Sequence, residues 1–262
     1  MDESGFSGGD AMSLKMAGSK LSIAGFPVQE GTQNELAQSL LSNLKAQEKV
    51  TLVYANSNFI VKCEHLLPLL HDERVIIAND GVGMDIVARL LYGRAFKANL
   101  NGTDFTPYLF RKSERPLKVF MYGGKPEVVR KAATHVGEQL GQTVVGYCDG
   151  YADIHPGDLV EAINRSGAEV LLVALGNPLQ EEWILLNRDA LDVPVVSGVG
   201  ALFDFWAGDK PRAPLFIQKL RLEWCYRLCL EPKRLMRRYT IDFLVFLLTC
   251  IRQQKMHGTK QA

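Results

Sequence analysis

The alternation of short apolar runs with amphipathic helical stretches predicts an α/β protein. It is a parallel sheet covered by helices on both faces, extended by a C-terminal helical appendage. Three observations carry this. Runs such as Val50–Ala55, Arg74–Ala78 and Glu169–Leu175 are nearly continuously apolar, as strands buried on both faces are. Each is followed by a stretch with helical spacing, the order that builds parallel sheets. Past Pro211 that rhythm stops, and two basic, aromatic-rich helical stretches follow, divided near Pro232.

In chain order, Met1–Ser19 is rich in Gly and Ser, lacks the apolar stretch of a signal peptide, and reads as a flexible leader. Leu21–Val28 reads as a first strand, Thr32–Gln47 as a helix, Val50–Ala55 as a strand and Ser57–Leu70 as a helix. Arg74–Ala78 is a buried strand running into Asn79-Asp80-Gly81, with helices over Met84–Tyr92 and Thr103–Lys112. Leu117–Tyr122 is a strand that turns through Gly123-Gly124-Lys125-Pro126 into a helix. Val129, Ala132, Ala133, Val136 and Leu140 line one side of that helix. Pro126 suits its first turn and Gly141 its end. Thr143–Cys148 (strand), His155–Ser166 (helix), Glu169–Leu175 (strand), Leu179–Ala190 (helix) and Val193–Ser197 (strand) complete the series. The arrangement is Rossmann-like, with ligands expected beyond the strand C-termini. The boundaries are a leader over 1–19, a core over 20–210 and an appendage over 211–262.

The 262 residues, 47% of them hydrophobic, suffice for a core without disulfide or metal staples. The five cysteines are odd in number and none has C-x-x-C spacing, so they read as free thiols in a reducing compartment. A net charge of +1 hides a split. From Arg212 onward there are 11 Lys and Arg against 3 Asp and Glu, a tail of +8 on a remainder of −7. Such a tail calls for an anionic partner, a nucleic acid or an acidic membrane surface. No helix-turn-helix or zinc pattern supports nucleic acid. Trp224, Tyr226 and Tyr239 among basic residues suit a membrane interface. No run reaches the roughly 18 apolar residues a spanning helix needs, so the chain is expected to lie on a membrane without crossing it.

Asp80 follows a buried strand and precedes a helix. It reads either as the helix N-cap or as a general base facing the ligand crevice. Gly123-Gly124 and Gly198-Val199-Gly200 are turns where backbone can approach a nucleotide diphosphate, or plain βα turns. Gln180, in Gly176-Asn177-Pro178-Leu179-Gln180-Glu181, either offers an amide to a sugar or phosphate or is simply solvated. Asp204 either orders its loop or meets a ligand. Arg227, Arg234 and Arg237 fall on one helical face if the break at Pro232 is mild, and suit phosphate oxygens. No D-x-D motif, dinucleotide fingerprint or P-loop occurs, and the histidines are scattered. No metal site is assigned.

Seven motifs in this order carry a resemblance. They are Asn79-Asp80-Gly81-Val82-Gly83, Tyr122-Gly123-Gly124-Lys125-Pro126, Gly176-Asn177-Pro178-Leu179-Gln180-Glu181, Gly198-Val199-Gly200-Ala201-Leu202-Phe203-Asp204, Arg212-Ala213-Pro214, Leu222-Glu223-Trp224 and Glu231-Pro232-Lys233-Arg234. From Leu21 to Arg238 the chain resembles the WecG/TagA/CpsF family of bacterial glycosyltransferases, glycosyltransferase family 26. The resemblance implies an inverting, metal-independent transfer from a UDP-sugar to an undecaprenyl-diphosphate-linked acceptor. The UDP-sugar is a co-substrate, and no cofactor is implied. It implies attachment to the cytoplasmic face of the bacterial inner membrane, Asp80 as base, and Asn56 and Gln180 as active-site polar residues. Arg227, Arg234 and Arg237 are implied to meet the lipid diphosphate. Tyr54 and Asn99 stand where the family usually has Thr and Arg. With Asn79, Gly123, Gly124, Gly198, Gly200 and Asp204 they make up the expected substrate contacts. The stretch Asn99–Asp104 looks like the xanthan-type branch, so the expected donor is UDP-glucose and the setting exopolysaccharide synthesis. The alternatives are an N-acetylmannosamine or N-acetylmannosaminuronic acid transferase of the same fold, or a non-catalytic scaffold.

Overall fold

The computed structural model describes residues 18–258; the expected leader, as far as residue 17, lies outside the described residues. Its first element departs from the sequence reading. In place of one strand over Leu21–Val28 there is an antiparallel hairpin, β1 (Lys20–Ile23) and β2 (Phe26–Gln29). Ala24 and Gly25 turn it with φ of 49° and 82°. Two left-handed residues match the twist of a tight hairpin. Ala24 is not a residue that announces such a turn, and the apolar run hides it.

Helix α1 (Gln33–Ala46) starts at Thr32, whose side chain accepts from the Glu35 N–H while Glu35 reaches back to the Thr32 N–H. Strand β3 (Val50–Ala55) follows. The single helix expected over Ser57–Leu70 is broken into α2 (Ser57–Lys62), a 3-10 turn (Glu64–Leu66) and α3 (Leu67–Leu70). Pro68 has no N–H to give the Glu64 carbonyl and stands in the first turn of α3, where none is needed. Next come β4 (Val75–Asn79), α4 (Val82–Tyr92) and α5 (Gly102–Lys112). The second half holds β5 (Lys118–Gly123), α6 (Pro126–Glu138), β6 (Thr143–Cys148), α7 (Pro156–Arg165), β7 (Val170–Ala174), α8 (Leu179–Asn187), β8 (Val195–Gly198) and α9 (Leu202–Trp206). The tail forms four helices where two were expected: α10 (Leu215–Lys219), α11 (Glu223–Leu230), α12 (Pro232–Tyr239) and α13 (Ile241–Gly258).

The eight strands make one sheet in the order β1-β2-β4-β3-β8-β7-β5-β6, parallel except for the hairpin. Side chains alternate between its faces. Leu52 and Tyr54 pack with α1, α5 and α6 residues, whereas Val53 and Ala55 pack with α2, α4 and α13. Strands β3 and β8 are neighbours, with Leu52 opposite Ser197. Beyond β3 the chain enters α2 on one face, where Phe59 and Ile60 are buried. Beyond β8 it enters α9 on the other, where Leu202 and Phe203 are buried. Diverging exits open a crevice at the strand C-termini, the usual place for a ligand in such sheets.

The last helix returns to this body. Phe246 and Cys250 of α13 are 0% and 1% exposed, in the cluster that holds Phe59, Met84 and Val87. Among the described residues no helix is long and apolar enough to cross a membrane. Burial of this kind makes a prediction. Phe246→Ala should cost about 3–5 kcal/mol in urea unfolding. Leu248→Ala, at a position 54% exposed, should stay within about 0.5 kcal/mol of wild type.

Candidate active site

Strand β4 delivers Asp80 to the crevice. The Asp80 N–H donates to the Ala55 carbonyl at 2.8 Å, which holds it level with the end of β3. Asn79, fully buried, donates from Nδ2 to the Ala98 carbonyl at 2.9 Å, and its backbone carbonyl accepts from the Leu100 N–H at 3.0 Å. The Asn99 side chain accepts from the Gly81 N–H at 2.9 Å. The loop before α5 is thereby stitched to the end of β4. Gly81, with φ of 93°, takes the N-cap position of α4, and no side chain caps that helix. The capping alternative for Asp80 therefore does not hold.

The Asp80 carboxylate instead accepts from Asn56 Nδ2 at 3.1 Å. Asn56 is the N-cap of α2, and its Oδ1 accepts from the N–H groups of Asn58 and Phe59, each at 3.1 Å. Capping fixes which end of the amide faces Asp80. A carboxylate held this way can take a proton from a hydroxyl brought within reach. Asn56, Asp80, Asn99 and Asp104 line the core side of a cavity of about 390 Å³. That volume falls at the small end of the range typical of small-molecule sites.

The tail supplies the other wall, through Arg221, Glu223, Trp224, Arg227 and Tyr239. Arg221, at a left-handed φ of 59°, bonds through Nη1 to Asp85. Asp85 is 4% exposed, and its other oxygen accepts from the Phe96 N–H at 3.2 Å. Arg212 bonds to Asp104 and lies 3.8 Å from Glu223. Burial pushes the Glu223 carboxyl above its usual range, and Arg212 and Arg227 draw it back. The Arg227 guanidinium sits 5.1 Å from the Phe205 ring centre, a cation–π contact that aims it along the wall. Trp224 and Tyr239 meet edge to face at 5.7 Å.

The remaining expected residues lie elsewhere. Gln180 is 3% exposed and outside the cavity lining. Its Oε1 accepts from the N–H groups of Gly176 at 3.2 Å and Gly200 at 3.0 Å. Its amide holds two βα turns together rather than facing solvent. Gly123 has φ of 120°, and a Cβ there would lie 2.5 Å from the Ala174 carbonyl oxygen. At Gly198 a Cβ would lie 2.9 Å from the Gln180 amide nitrogen. These two glycines thus answer to close packing within the protein. Gly124 and Gly200 have left-handed φ of 69° and 56°, which their turns require.

Tyr54 is buried against Gly102 and does not line the cavity. Burial holds its hydroxyl well above the usual phenol range. Asp204 pairs with Lys210 at 3.0 Å and orders its loop. Arg227 and Arg237 do not share one face. The backbone breaks at Glu231 (φ −131°, ψ 60°), so α11 and α12 are separate helices. Arg227 reaches the cavity, whereas Arg237 has an 80% exposed side chain 3.7 Å from Asp242. The Arg234 side chain lies outside what the structure describes. Among the described residues no three His, Cys, Asp or Glu side chains are placed to hold a metal ion.

A sheet of this topology, with an anchored carboxylate at the strand ends and arginines across from it, has the layout of a group-transfer enzyme. The chain belongs to the WecG/TagA/CpsF family of glycosyl transferases, whose profile matches residues 21–260. It is 32% identical over 186 residues to the N-acetylglucosaminyldiphosphoundecaprenol N-acetyl-beta-D-mannosaminyltransferase of Bacillus subtilis (strain 168). That match covers 70% of this chain and 71% of the relative. The protein of the same name from Bacillus spizizenii is 33% identical over 167 residues, 63% of this chain and 64% of the relative. Both relatives are named for N-acetylmannosamine transfer, so the glucose donor expected from the xanthan-type look gains no support from them.

The pairing of Arg221 with Asp85 makes a prediction. Arg221→Met should cost about 2 kcal/mol, less than a fully buried pair because the arginine is half exposed. Trypsin should then cut between residues 212 and 240 faster than in wild type. Adding Asp85→Asn should recover most of the loss.

Proposed function

We propose that the protein transfers N-acetylmannosamine from a UDP-sugar to a saccharide linked to undecaprenyl diphosphate, with inversion, at the cytoplasmic face of the inner membrane. The donor and acceptor follow the names of its relatives and the family. The observation that carries the reaction is the Asp80–Asn56 pair, set in a cavity whose far wall is the tail. Asp80 takes the proton from the acceptor hydroxyl as its oxygen bonds to the anomeric carbon. The bond from that carbon to the UDP oxygen breaks, and UDP leaves with the electron pair. Negative charge then grows on the diphosphate, and Arg227 and Arg221 are the cationic side chains of the cavity lining that can meet it.

Membrane attachment has its own support. Leu220, Leu222, Leu230, Met236, Ile241 and Leu244 of the tail are all at least 42% exposed. Apolar surface among basic residues fits an anionic bilayer. Replacing Leu230, Met236 and Leu244 together by Ser should abolish co-sedimentation with vesicles containing anionic lipid. Undiminished co-sedimentation would exclude this surface.

The reaction is tested with a panel of UDP-sugars and a lipid-diphosphate-linked N-acetylglucosamine, in EDTA. Transfer is expected from UDP-N-acetylmannosamine, falling on the order of 10²–10⁴-fold in Asp80→Asn, the range for loss of a general base. Transfer from UDP-glucose alone would restore the xanthan-type donor. No transfer from any donor would overturn the proposal.

A further inference from the structure

The mechanism above leaves a fully buried carboxylate unused. Glu181, in the first turn of α8, is 0% exposed. Its Oε1 accepts from Asn177 Nδ2 at 2.6 Å and from Gln180 Nε2 at 2.8 Å. An ionised carboxylate can only accept hydrogen bonds, so it dictates which end of each amide turns toward it. With the Gln180 NH₂ committed, its carbonyl is presented to the N–H groups of Gly176 and Gly200. With the Asn177 NH₂ committed, its carbonyl faces Asn58 Nδ2 at 3.4 Å. The Asn58 N–H donates to Asn56 Oδ1, and Asn56 Nδ2 donates to Asp80. A directed pair of amides thus runs from one acid to the turn after β8 and to the Asn58 side chain, in the first turn of the helix that Asn56 caps.

We propose that Glu181 is a positioning residue: its acceptor-only carboxylate sets the polarity of the Gln180 and Asn177 amides, and through them the seating of the Gly200 turn and of Asn58 in the first turn of α2, the helix whose cap, Asn56, meets Asp80. The link to catalysis rests on Asp80 being the base. Turned the other way, either amide would present its NH₂ where an N–H or NH₂ already points. That would be two donors face to face in a buried place.

The same carboxylate titrates near neutrality. Burial pushes it up to about 7, against the pull of its hydrogen bonds from Gln180 and Asn177. From α2, the Cys63 thiol faces its other oxygen at 3.8 Å. Burial holds that thiol well above the usual range, so it stays an uncharged donor. Lys62 lies beyond Cys63, and Glu182, next along α8, is paired with His65 at 2.9 Å. When Glu181 gains a proton it becomes a donor as well as an acceptor, and its hold on the two amides is halved. The sign for stability is opposite to that for activity. A carboxyl raised from 4.5 to about 7 by folding binds its proton more tightly in the native state. Its favourable contribution is complete at acid pH and is lost as pH rises through about 7. Activity through the amides should rise over the same interval.

The test compares wild type with Glu181→Gln, which keeps the size and an acceptor carbonyl, and Glu181→Leu, which keeps neither acceptor nor charge. Hydrogen exchange is read at the Gly176 and Gly200 amides, and kcat and KM are followed against pH. In Glu181→Leu both amides should exchange about tenfold faster, the worth of one lost hydrogen bond. Its kcat should fall at least as far, with KM little changed. Glu181→Gln should restore slow exchange and most of kcat, and its profile should lose the rise near pH 7. The proposal is overturned if Glu181→Leu leaves both amides at wild-type exchange rates, or if the rise persists in Glu181→Gln. Should the leucine variant fail to fold, the pH profile of kcat decides: the rise near pH 7 should be present in wild type and absent in Glu181→Gln. The exchange readings need no substrate, so they stand or fall apart from any result on the transfer reaction.

Discussion

A carboxylate buried on the apolar side of a helix has to be paired, and Asp85 takes its partner from the far end of the chain. Its neighbours Met84, Val87 and Ala88 are fully buried, so an unpaired charge there would be strongly unfavourable. Arg221 meets the need from 136 residues away. Arg212 does the same for Asp104, and Phe246 seats the last helix beside α2 and α4. These contacts hold the tail over the strand ends. Without them the space around Asp80 would be an open shelf. Part of the +8 of the tail is thus matched by core carboxylates, and the part that stays exposed is what a membrane or a diphosphate can meet.

Placement of Asp80 follows from topology in the same direct way. Strands β3 and β8 send the chain to opposite faces, so neither exit covers the gap between their ends. The polar groups there are asparagines and a glutamine, each satisfied at one end by backbone N–H groups or a carbonyl. An amide anchored at one end has its other end fixed, which is how Asn56 comes to present an NH₂ to Asp80. Glu181 extends the logic one layer deeper. The site is rigid because its orientations are inherited from helix caps and βα turns.

Much of this architecture was legible in the sequence. The strand Val50–Ala55 falls where its apolar run begins and ends, since a strand buried on both faces leaves no ambiguity of side, and Thr143–Cys148 was legible too although it is a part-exposed edge strand. Helix α1 was legible as a helix over Thr32–Gln47, and its capping box at Thr32 and Glu35 emerges in the structure. The hairpin at Ala24-Gly25 was not, because its turn lacks the Asn or Asp that usually marks it. Nor was the break between Lys62 and Leu67, which falls inside a stretch that reads as one helix.

At the site, Asn56, Asp80, Asn99 and Arg227 were marked out in advance and do converge. Arg221, Glu223 and Asp104 were not assigned a role, because their meeting depends on ion pairs spanning more than 100 residues, which no local pattern encodes. Asp85 left a usable signal as a charge on an apolar helix face. Gln180 and the glycines of the βα turns were legible as motifs, but their committed hydrogen bonds and close packing appear only once neighbouring strands are set side by side. The most direct measurement is hydrogen exchange with and without UDP-N-acetylmannosamine. A site shared by core and tail predicts slower exchange over residues 80–86 and 221–227 together. Protection confined to the turns at 123–126 and 149–151, with none in the tail, would contradict it.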